Sequence, residues 1–312
     1  MEKVFTNDEQ ELKEILFNEL PEFKKNETSI SFNHTGWTSI IIDINDDLIV
    51  KFPRNVEKYN GLVNEKKVIQ VLKNNVQGVE FPTRDIFDGK TPFFIHKKLK
   101  GEHFPLDRLK IASKEEQKNF IVSAAEFLNQ IHSIPTSLFA GILPKKEEIL
   151  PNCNDFMPYL DKEFSKSEIN VIERLLNEFN QVTALKHNNV VGYYDFHGNN
   201  IVIDKKTKKI TGVFDFDEMS IGSIEFDLRE LPLNYGVDFG FKMIDECNRC
   251  SNVSIDVRNM KTFLTGWYVF EFSNLVKNKE YLLKNIKNLN IDKHKQNILG
   301  QLYSYDKEFL HH

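Results

Sequence analysis

Val190–Leu228 reads VVGYYDFHGNNIVIDKKTKKITGVFDFDEMSIGSIEFDL, and no other stretch of this 312-residue chain says as much about its architecture. It opens with a short apolar run, Val190 to Gly192, of the length of a buried strand. A polar loop follows, in which Asp195, His197, Asn199 and Asn200 surround Gly198. Ile201 to Asp204, a lysine-rich turn and Ile210 to Phe214 then read as a hairpin. Asp215 stands at its end, where a side chain leaves the sheet. Two acids and an amide thus meet at a loop mouth and a strand end. Hard divalent cations take oxygen ligands, and Mg2+ asks for only one or two carboxylates beside substrate phosphates. For any one of these residues an ordinary surface turn is the simpler reading, because Asp and Asn favour turns. The whole spacing, D-x-x-x-x-N, a hairpin, D, then G-x-x-x-x-D-L, is far more specific.

Together these residues resemble the catalytic loop and metal-binding strand of the aminoglycoside phosphotransferase and choline-kinase group, a branch of the protein-kinase-like fold. In the kinase template an Asp orients the substrate hydroxyl, an Asn five residues later binds one metal, and a second Asp binds metal beyond the hairpin. The resemblance gives these roles to Asp195, Asn200 and Asp215, with Mg2+ as the metal and ATP or GTP as donor. It also implies that Asp227, in G-S-I-E-F-D-L, braces the loop. The pattern departs at Tyr193, where the group usually carries His two residues before the catalytic Asp. That departure supports an alternative of another class, a weakened relative that binds nucleotide or a partner without efficient transfer.

Upstream, Thr6 or Asn7 can cap a helix over Asp8 to Leu20, which Pro21 ends. Three β-rich runs follow, Thr28 to Asn33, Trp37 to Ile44 and Leu48 to Phe52, with Asn45-Asp46-Asp47 as the tight turn between the last two. His34-Thr35-Gly36 lies where a kinase-like fold lays a loop over the nucleotide phosphates, although a lone Gly36, without the rest of the pattern, reads first as a turn residue. Lys51 sits inside an apolar strand, where a charge is costly unless paired. A helical run from Val56 to Asn74 carries Glu65 early. By itself Lys51 reads as an edge-strand lysine and Glu65 as a solvated helix residue. The resemblance instead makes Lys51 the phosphate-holding lysine and Glu65 its partner.

Val79 to Phe87 and Thr91 to Lys98 read as a further hairpin across Asp88-Gly89. The second strand enters Leu99-Lys100-Gly101-Glu102, which is similar to the hinge of the same family. The backbone of Ile95, Lys97 and Leu99 is then expected to meet a purine, and the boundary between lobes falls near residue 100. Ser113 and Glu116 form a capping box for a helix to His132. Pro135 to Pro158 reads as a surface excursion, and Ser165 to Gln181 as an amphipathic helix. Helices are expected over Arg229–Asn248, Ile255–Asn274, Lys279–Leu289 and Asp292–Phe309.

Composition is that of a soluble globular protein, 40% hydrophobic and 28% charged, with a net charge of −5 that gives no case for binding nucleic acid or anionic membrane. No apolar run approaches the ~18 residues of a membrane span. The polar N-terminus lacks the apolar core of a signal peptide, so a cytoplasmic location is expected. Cys153, Cys247 and Cys250 suit a reducing compartment. Cys247-x-x-Cys250 has no second pair, so it reads as helix thiols rather than zinc ligands.

The expected fold is therefore α+β and kinase-like in two lobes. Residues 1–100 form a small antiparallel-sheet lobe with one helix, and 101–312 a larger, mainly helical lobe. The expected reaction moves the γ-phosphoryl group of ATP or GTP to a hydroxyl of a small molecule, and a monomer is expected. Asp227 follows Asp215 by a dozen residues, leaving no long activation segment for a protein substrate. Asp217, Glu218, Glu230 and Glu271 are candidates for holding a cationic acceptor, with an aminoglycoside foremost and drug resistance as the consequence. A kinase of choline, homoserine or a sugar is the alternative within enzymes.

Overall fold

In the computed structural model, which describes residues 3–24, 28–34, 38–146, 153–184, 189–251, 254–280, 290–305 and 307, the β-rich runs before residue 100 form one antiparallel sheet. Its strands are β1 (Ile30–Asn33), β2 (Ser39–Ile44), β3 (Leu48–Pro53), β4 (Asp85–Phe87) and β5 (Phe93–Lys97), in the order β1-β2-β3-β5-β4. Asn45 and Asp46 take left-handed backbone at φ 56° and 55°, which these two residue types tolerate, and so turn β2 into β3. Ile40, Ile42 and Ile44 point with Val50, Phe52 and Phe93 to one face. There they bury Leu12 and Leu16 of helix α1 (Glu9–Glu19). The cap of α1 is Asp8, whose carboxylate accepts from the Glu11 N–H at 2.8 Å, and not Thr6 or Asn7. Thr6 is engaged earlier, its hydroxyl accepting the Asp8 N–H at 3.2 Å.

Helix α2 (Val56–Asn75) starts at Asn55, whose side chain accepts from Lys58. The run Val79 to Phe87 is not one strand. Pro82 interrupts it, lacking the N–H a ladder needs, and only Asp85–Phe87 joins the sheet. Glu80 instead bridges the hairpin Ile201–Ile203 with Ile210–Val213: its N–H donates to the Thr211 carbonyl at 2.8 Å and its carbonyl accepts from Val213 at 3.1 Å. Beyond the short helix α3 (Leu106–Ile111), helix α4 (Lys114–His132) carries the expected box, with Ser113 and Glu116 capping each other's N–H groups.

The described residues fall into two compact units, Met1–Pro144 with Asp195–Met219, and Lys145–Tyr194 with Ser220–His312. The first holds the sheet, α1 to α4, and the hairpin Ile201–Ile203 with Ile210–Val213. In the second, Asn189–Gly192 pairs antiparallel with Ser220–Ser223. Helices Lys166–Ala184, Val257–Lys277 and Ile291–Tyr305 enclose Ile172, Leu175, Phe272 and Leu302. Helix Glu230–Cys250 kinks at Gly236, where φ is 75°. Part of the expected surface excursion is helical, over Cys153–Leu160. The expected helix Lys279–Leu289 lies outside the described residues beyond 280. Cys247 is buried and Cys250 exposed on the same helix; the Cys153 side chain lies outside the description. Among the described residues no helix is long and apolar enough to cross a membrane.

Candidate active site

The sheet settles what Lys51 is. β3 is flanked by β2 and β5, with Lys51 opposite Ile41 on one side and Phe94 on the other, so this is a central-strand lysine. Its side chain is 7% exposed. Burial first, and the Arg84 guanidinium second, hold its ammonium below the usual lysine range, against the pull of Glu65, Asp215 and Asp217.

Glu65 is buried on α2, not solvated. Arg84 forks onto it, one guanidinium nitrogen on each carboxylate oxygen. The backbone N–H of Phe216 also donates to Oε1, at 3.2 Å. Burial pushes the Glu65 carboxyl up, but the charges of Arg84 and Lys51 and these hydrogen bonds outweigh it and hold it below the ordinary value. Glu65 is therefore tied to Arg84 rather than to Lys51 alone. Sequence reasoning missed Arg84, whose one local sign was a cation beside an apolar run.

In the loop, Asn200 Nδ2 donates to Asp195 Oδ2 at 2.5 Å and to the Asp195 carbonyl at 3.2 Å. His197 lies with Nε2 3.4 Å from Asp195 Oδ1. Its Nδ1 accepts the Asn199 N–H at 3.2 Å, so the ring proton sits on Nε2, facing Asp195. Each Asp195 oxygen thus has its own neighbour. The Phe214 N–H donates to the Asn200 carbonyl at 3.0 Å, joining the loop to the strand end that carries Asp215. Asp215 has φ 69°, a left-handed conformation that costs a non-glycine residue of order 1–3 kcal/mol. Gly198 sits where a Cβ would stand 2.4 Å from Pro105 Cα and 2.5 Å from its nitrogen.

Asp217 is exposed by area, yet the protein around its carboxyl raises its pKa to about 7, and Asp215, Glu65, Glu218 and Asp195 push the same way. Asp195, Asp215, Asp217 and Glu218 are thus one acidic group within the first unit. Glu230 and Glu271 belong to the second unit. Glu230 is engaged, its Oε1 3.0 Å from Arg229 and its Oε2 accepting from Asn234 at 3.1 Å. Glu271 is exposed on its helix; partial burial raises its pKa, and the charge of Arg229 opposes this.

Asp227 is 2% exposed and accepts two backbone N–H groups, Tyr193 at 3.2 Å and Tyr194 at 2.6 Å. Tyr194, with φ 60°, immediately precedes Asp195. The segment after β5 is clipped to the hairpin, for Glu102 and Ile203 exchange both backbone hydrogen bonds, at 3.1 and 3.0 Å. Gly101 permits it: φ is 149°, and a Cβ there would meet the Ile203 carbonyl at 2.6 Å. Ile95 lies within the sheet, between Val50 and Asp85. Lys97 ends β5 with its carbonyl taken by His96 Nδ1 at 2.8 Å, and Leu99 follows in the connecting segment. A cavity of about 1080 Å3 borders this segment, lined by Lys73, Phe81, Leu99 and Thr211 among others, but by none of Lys51, Asp195, Asn200 or Asp215. Gly36 lies outside the described residues.

A five-stranded sheet with a buried central lysine, a helix glutamate, and an Asp-Asn loop joined to an Asp-bearing strand end define a kinase-like phosphotransferase. Residues 31–240 match the phosphotransferase enzyme family, and the chain belongs to that family as a small-molecule kinase. Among solved structures it is similar to the GDP complex of an aminoglycoside 2′-phosphotransferase-IIIa mutant, at 15% identity and TM-score 0.73, over 95% of this chain and 100% of that one. A streptomycin–ATP ternary complex of APH(2″)-IIa matches at 20% identity and TM-score 0.59, over 90% and 98%. A macrolide 2′-phosphotransferase type I matches at 15% identity and TM-score 0.58, over 96% and 99%. At these identities the likeness speaks for the fold.

Proposed function

We propose that the chain transfers the γ-phosphoryl group of ATP or GTP to a hydroxyl of a small cationic acceptor, an aminoglycoside foremost. In this reading residues 1–100 form the nucleotide-binding lobe, with Gly36 and the backbone of Ile95, Lys97 and Leu99 at the nucleotide. Residues 101–312 carry the catalytic loop. Asp195 orients the acceptor hydroxyl, its carboxylate turned by Asn200 and His197. Lys51 meets phosphate oxygens, whose charge offsets the cost of its burial. Asp227 holds the backbone that leads into Asp195.

The donor set suits Mg2+. Asp215 offers a carboxylate, and Asn200, its amide nitrogen turned to Asp195, keeps its oxygen as the remaining acceptor. Mg2+ takes one or two carboxylates beside nucleotide phosphates, so a single Asp with an amide oxygen is a sufficient protein donor set. Asn200 and Asp215 would hold Mg2+, which when bound neutralises charge on the phosphates.

The observation that carries the cationic acceptor is the gathering of Asp195, Asp215, Asp217 and Glu218 in one acidic group, in which burial first and the neighbouring carboxylates second raise Asp217 to about 7. Asp217 and Glu218 lead as acceptor residues, with Glu271 behind them; Glu230 stands last, because Arg229 and Asn234 already engage it. Neighbours of similar fold are described with kanamycin, streptomycin and gentamicin, which makes aminoglycosides the first panel to try. Two neighbours are described as macrolide 2′-phosphotransferases, so a macrolide is the second acceptor to try.

The test is turnover of ATP and GTP against aminoglycosides, a macrolide, choline and neutral sugars. A cationic acceptor should be phosphorylated with a KM that rises steeply with salt. Asp217→Asn with Glu218→Gln should raise that KM and flatten its salt dependence. Asp195→Ala should lower kcat by about 10²–10⁴-fold with nucleotide affinity kept. Turnover of a neutral sugar alone would overturn the acceptor assignment.

A further inference from the structure

The kinase pattern leads one to expect Glu65 to serve Lys51, but a different cation holds it. Arg84 is 1% exposed and forks onto both oxygens of a carboxylate that is itself 2% exposed. Among the described residues no ion pair within 4.0 Å joins Lys51 to Glu65. A guanidinium fork sets the plane of a carboxylate, which a single ammonium does not. The plane matters because Oε1 also receives the Phe216 N–H. Phe216 follows Asp215, and on the other side Phe214 is anchored to the Asn200 carbonyl. Asp215, at a left-handed φ of 69°, is thus bracketed by hydrogen bonds from the backbone N–H groups on either side of it. One bracket depends on the loop, the other on the chain Arg84–Glu65–Phe216.

We propose that Arg84 is a positioning residue for phosphoryl transfer: through Glu65 it fixes the backbone at Asp215, and it leaves Lys51 to the nucleotide phosphates instead of to Glu65. This rests on the reading of Asp215 as a metal residue. Outer partners that orient a ligand commonly cost 10–100-fold in metal affinity or activity when removed, so the effect should be large for a side chain that touches no substrate.

The experiment compares Arg84→Lys with Lys51→Met by amide hydrogen exchange at Phe216, by direct titration of Mn2+ with ADP, and by steady-state kinetics. Arg84→Lys keeps the charge and loses the fork. It should speed Phe216 exchange by about tenfold or more, as one hydrogen bond weakens. Mn2+–ADP binding should weaken by about 10–100-fold and kcat should fall, with the acceptor KM unchanged. Lys51→Met should weaken nucleotide binding and leave Phe216 exchange as it was. A doubly changed chain, Glu65→Gln with Arg84→Met, removes both buried charges together. It should lose no more Mn2+–ADP affinity than Glu65→Gln alone, because the two act as one unit. Faster Phe216 exchange from Lys51→Met but not from Arg84→Lys, or additive losses in the double variant, would overturn the proposal. A wild-type chain that fails to bind Mn2+–ADP would instead overturn the metal reading of Asp215. Wild-type binding that is indifferent to Arg84→Lys strikes this inference alone.

Discussion

Asp227→Asn changes one atom of consequence. The carboxylate accepts the N–H groups of Tyr193 and Tyr194 at 3.2 and 2.6 Å from a position 2% exposed. An amide of the same shape can offer its oxygen to one of them and turns an NH2 towards the other. The retained bond loses its charge, a loss of ~1 kcal/mol, and the orphaned buried N–H costs a further ~1–3 kcal/mol. Against this stands relief of the Tyr194 backbone, held at φ 60°, worth at most ~1–3 kcal/mol and only if the peptide can turn over. That turn is resisted, because the Tyr194 ring is buried with Phe179, Phe226 and Phe263. The expected loss is ~2–4 kcal/mol of stability in the second unit. Because Tyr194 leads directly into Asp195, a shift of ~1 Å there should lower kcat by about 10²-fold while nucleotide KM stays near wild type. Urea unfolding followed by tyrosine and tryptophan fluorescence, with initial-rate kinetics on the same preparation, reads both. A variant within ~0.5 kcal/mol of wild type and fully active would refute the reasoning, since neither N–H would then need its acceptor.

Lys51→Met should reduce nucleotide affinity without lowering stability at neutral pH, because it removes a buried charge that its surroundings disfavour. The sign follows from linkage: a lysine whose folded pKa lies below its unfolded value binds fewer protons when folded, so wild-type stability should climb with pH between those two values, and the variant should lose that climb in unfolding measured across alkaline pH. Gly198→Ala should cost ~1–3 kcal/mol, read as a lowered Tm, because its methyl would press on Pro105 backbone that has no side-chain freedom to yield. A Tm unchanged by that methyl would mean the loop moves away from Pro105 at little cost.

The stretch proposed to be catalytic could be read as a loop and hairpin because its pattern is local: Asp195, Asn200 and Asp215 lie close in the chain, and a hairpin sets the distance between the last two. The capping box at Ser113 and Glu116 was legible for the same reason, as both partners sit within one turn. Lys51 could be placed on a strand but not in the middle of a sheet, since the insertion of β5 between β3 and β4 is a long-range pairing that no local period encodes. Arg84 was invisible as the partner of Glu65 for a similar reason, its place fixed by a connection that is neither helix nor strand. Pro82 did carry a readable signal, and it breaks the run that alternation alone would have continued. Glu230 looked like an open acid, and only the packing of Arg229 against Phe226 and Trp267 brings a cation to it.

The division of the chain has a consequence for how the protein comes into being. The first unit is written in two instalments, Met1–Pro144 and Asp195–Met219, with fifty residues of the other unit between them. A ribosome adds ~5–20 residues per second, so this interval lasts seconds, long against the microseconds in which helices and hairpins form. During it α1 can dock on the sheet and Arg84 can find Glu65, since all of these precede residue 144. The Glu80 backbone groups and the remaining face of Glu65, however, still wait for Thr211, Val213 and Phe216. The nascent chain therefore carries an assembled sheet with an open seam, closed only when the segment bearing Asp195 and Asp215 arrives. The last piece to complete this unit is the one that carries the proposed catalytic loop.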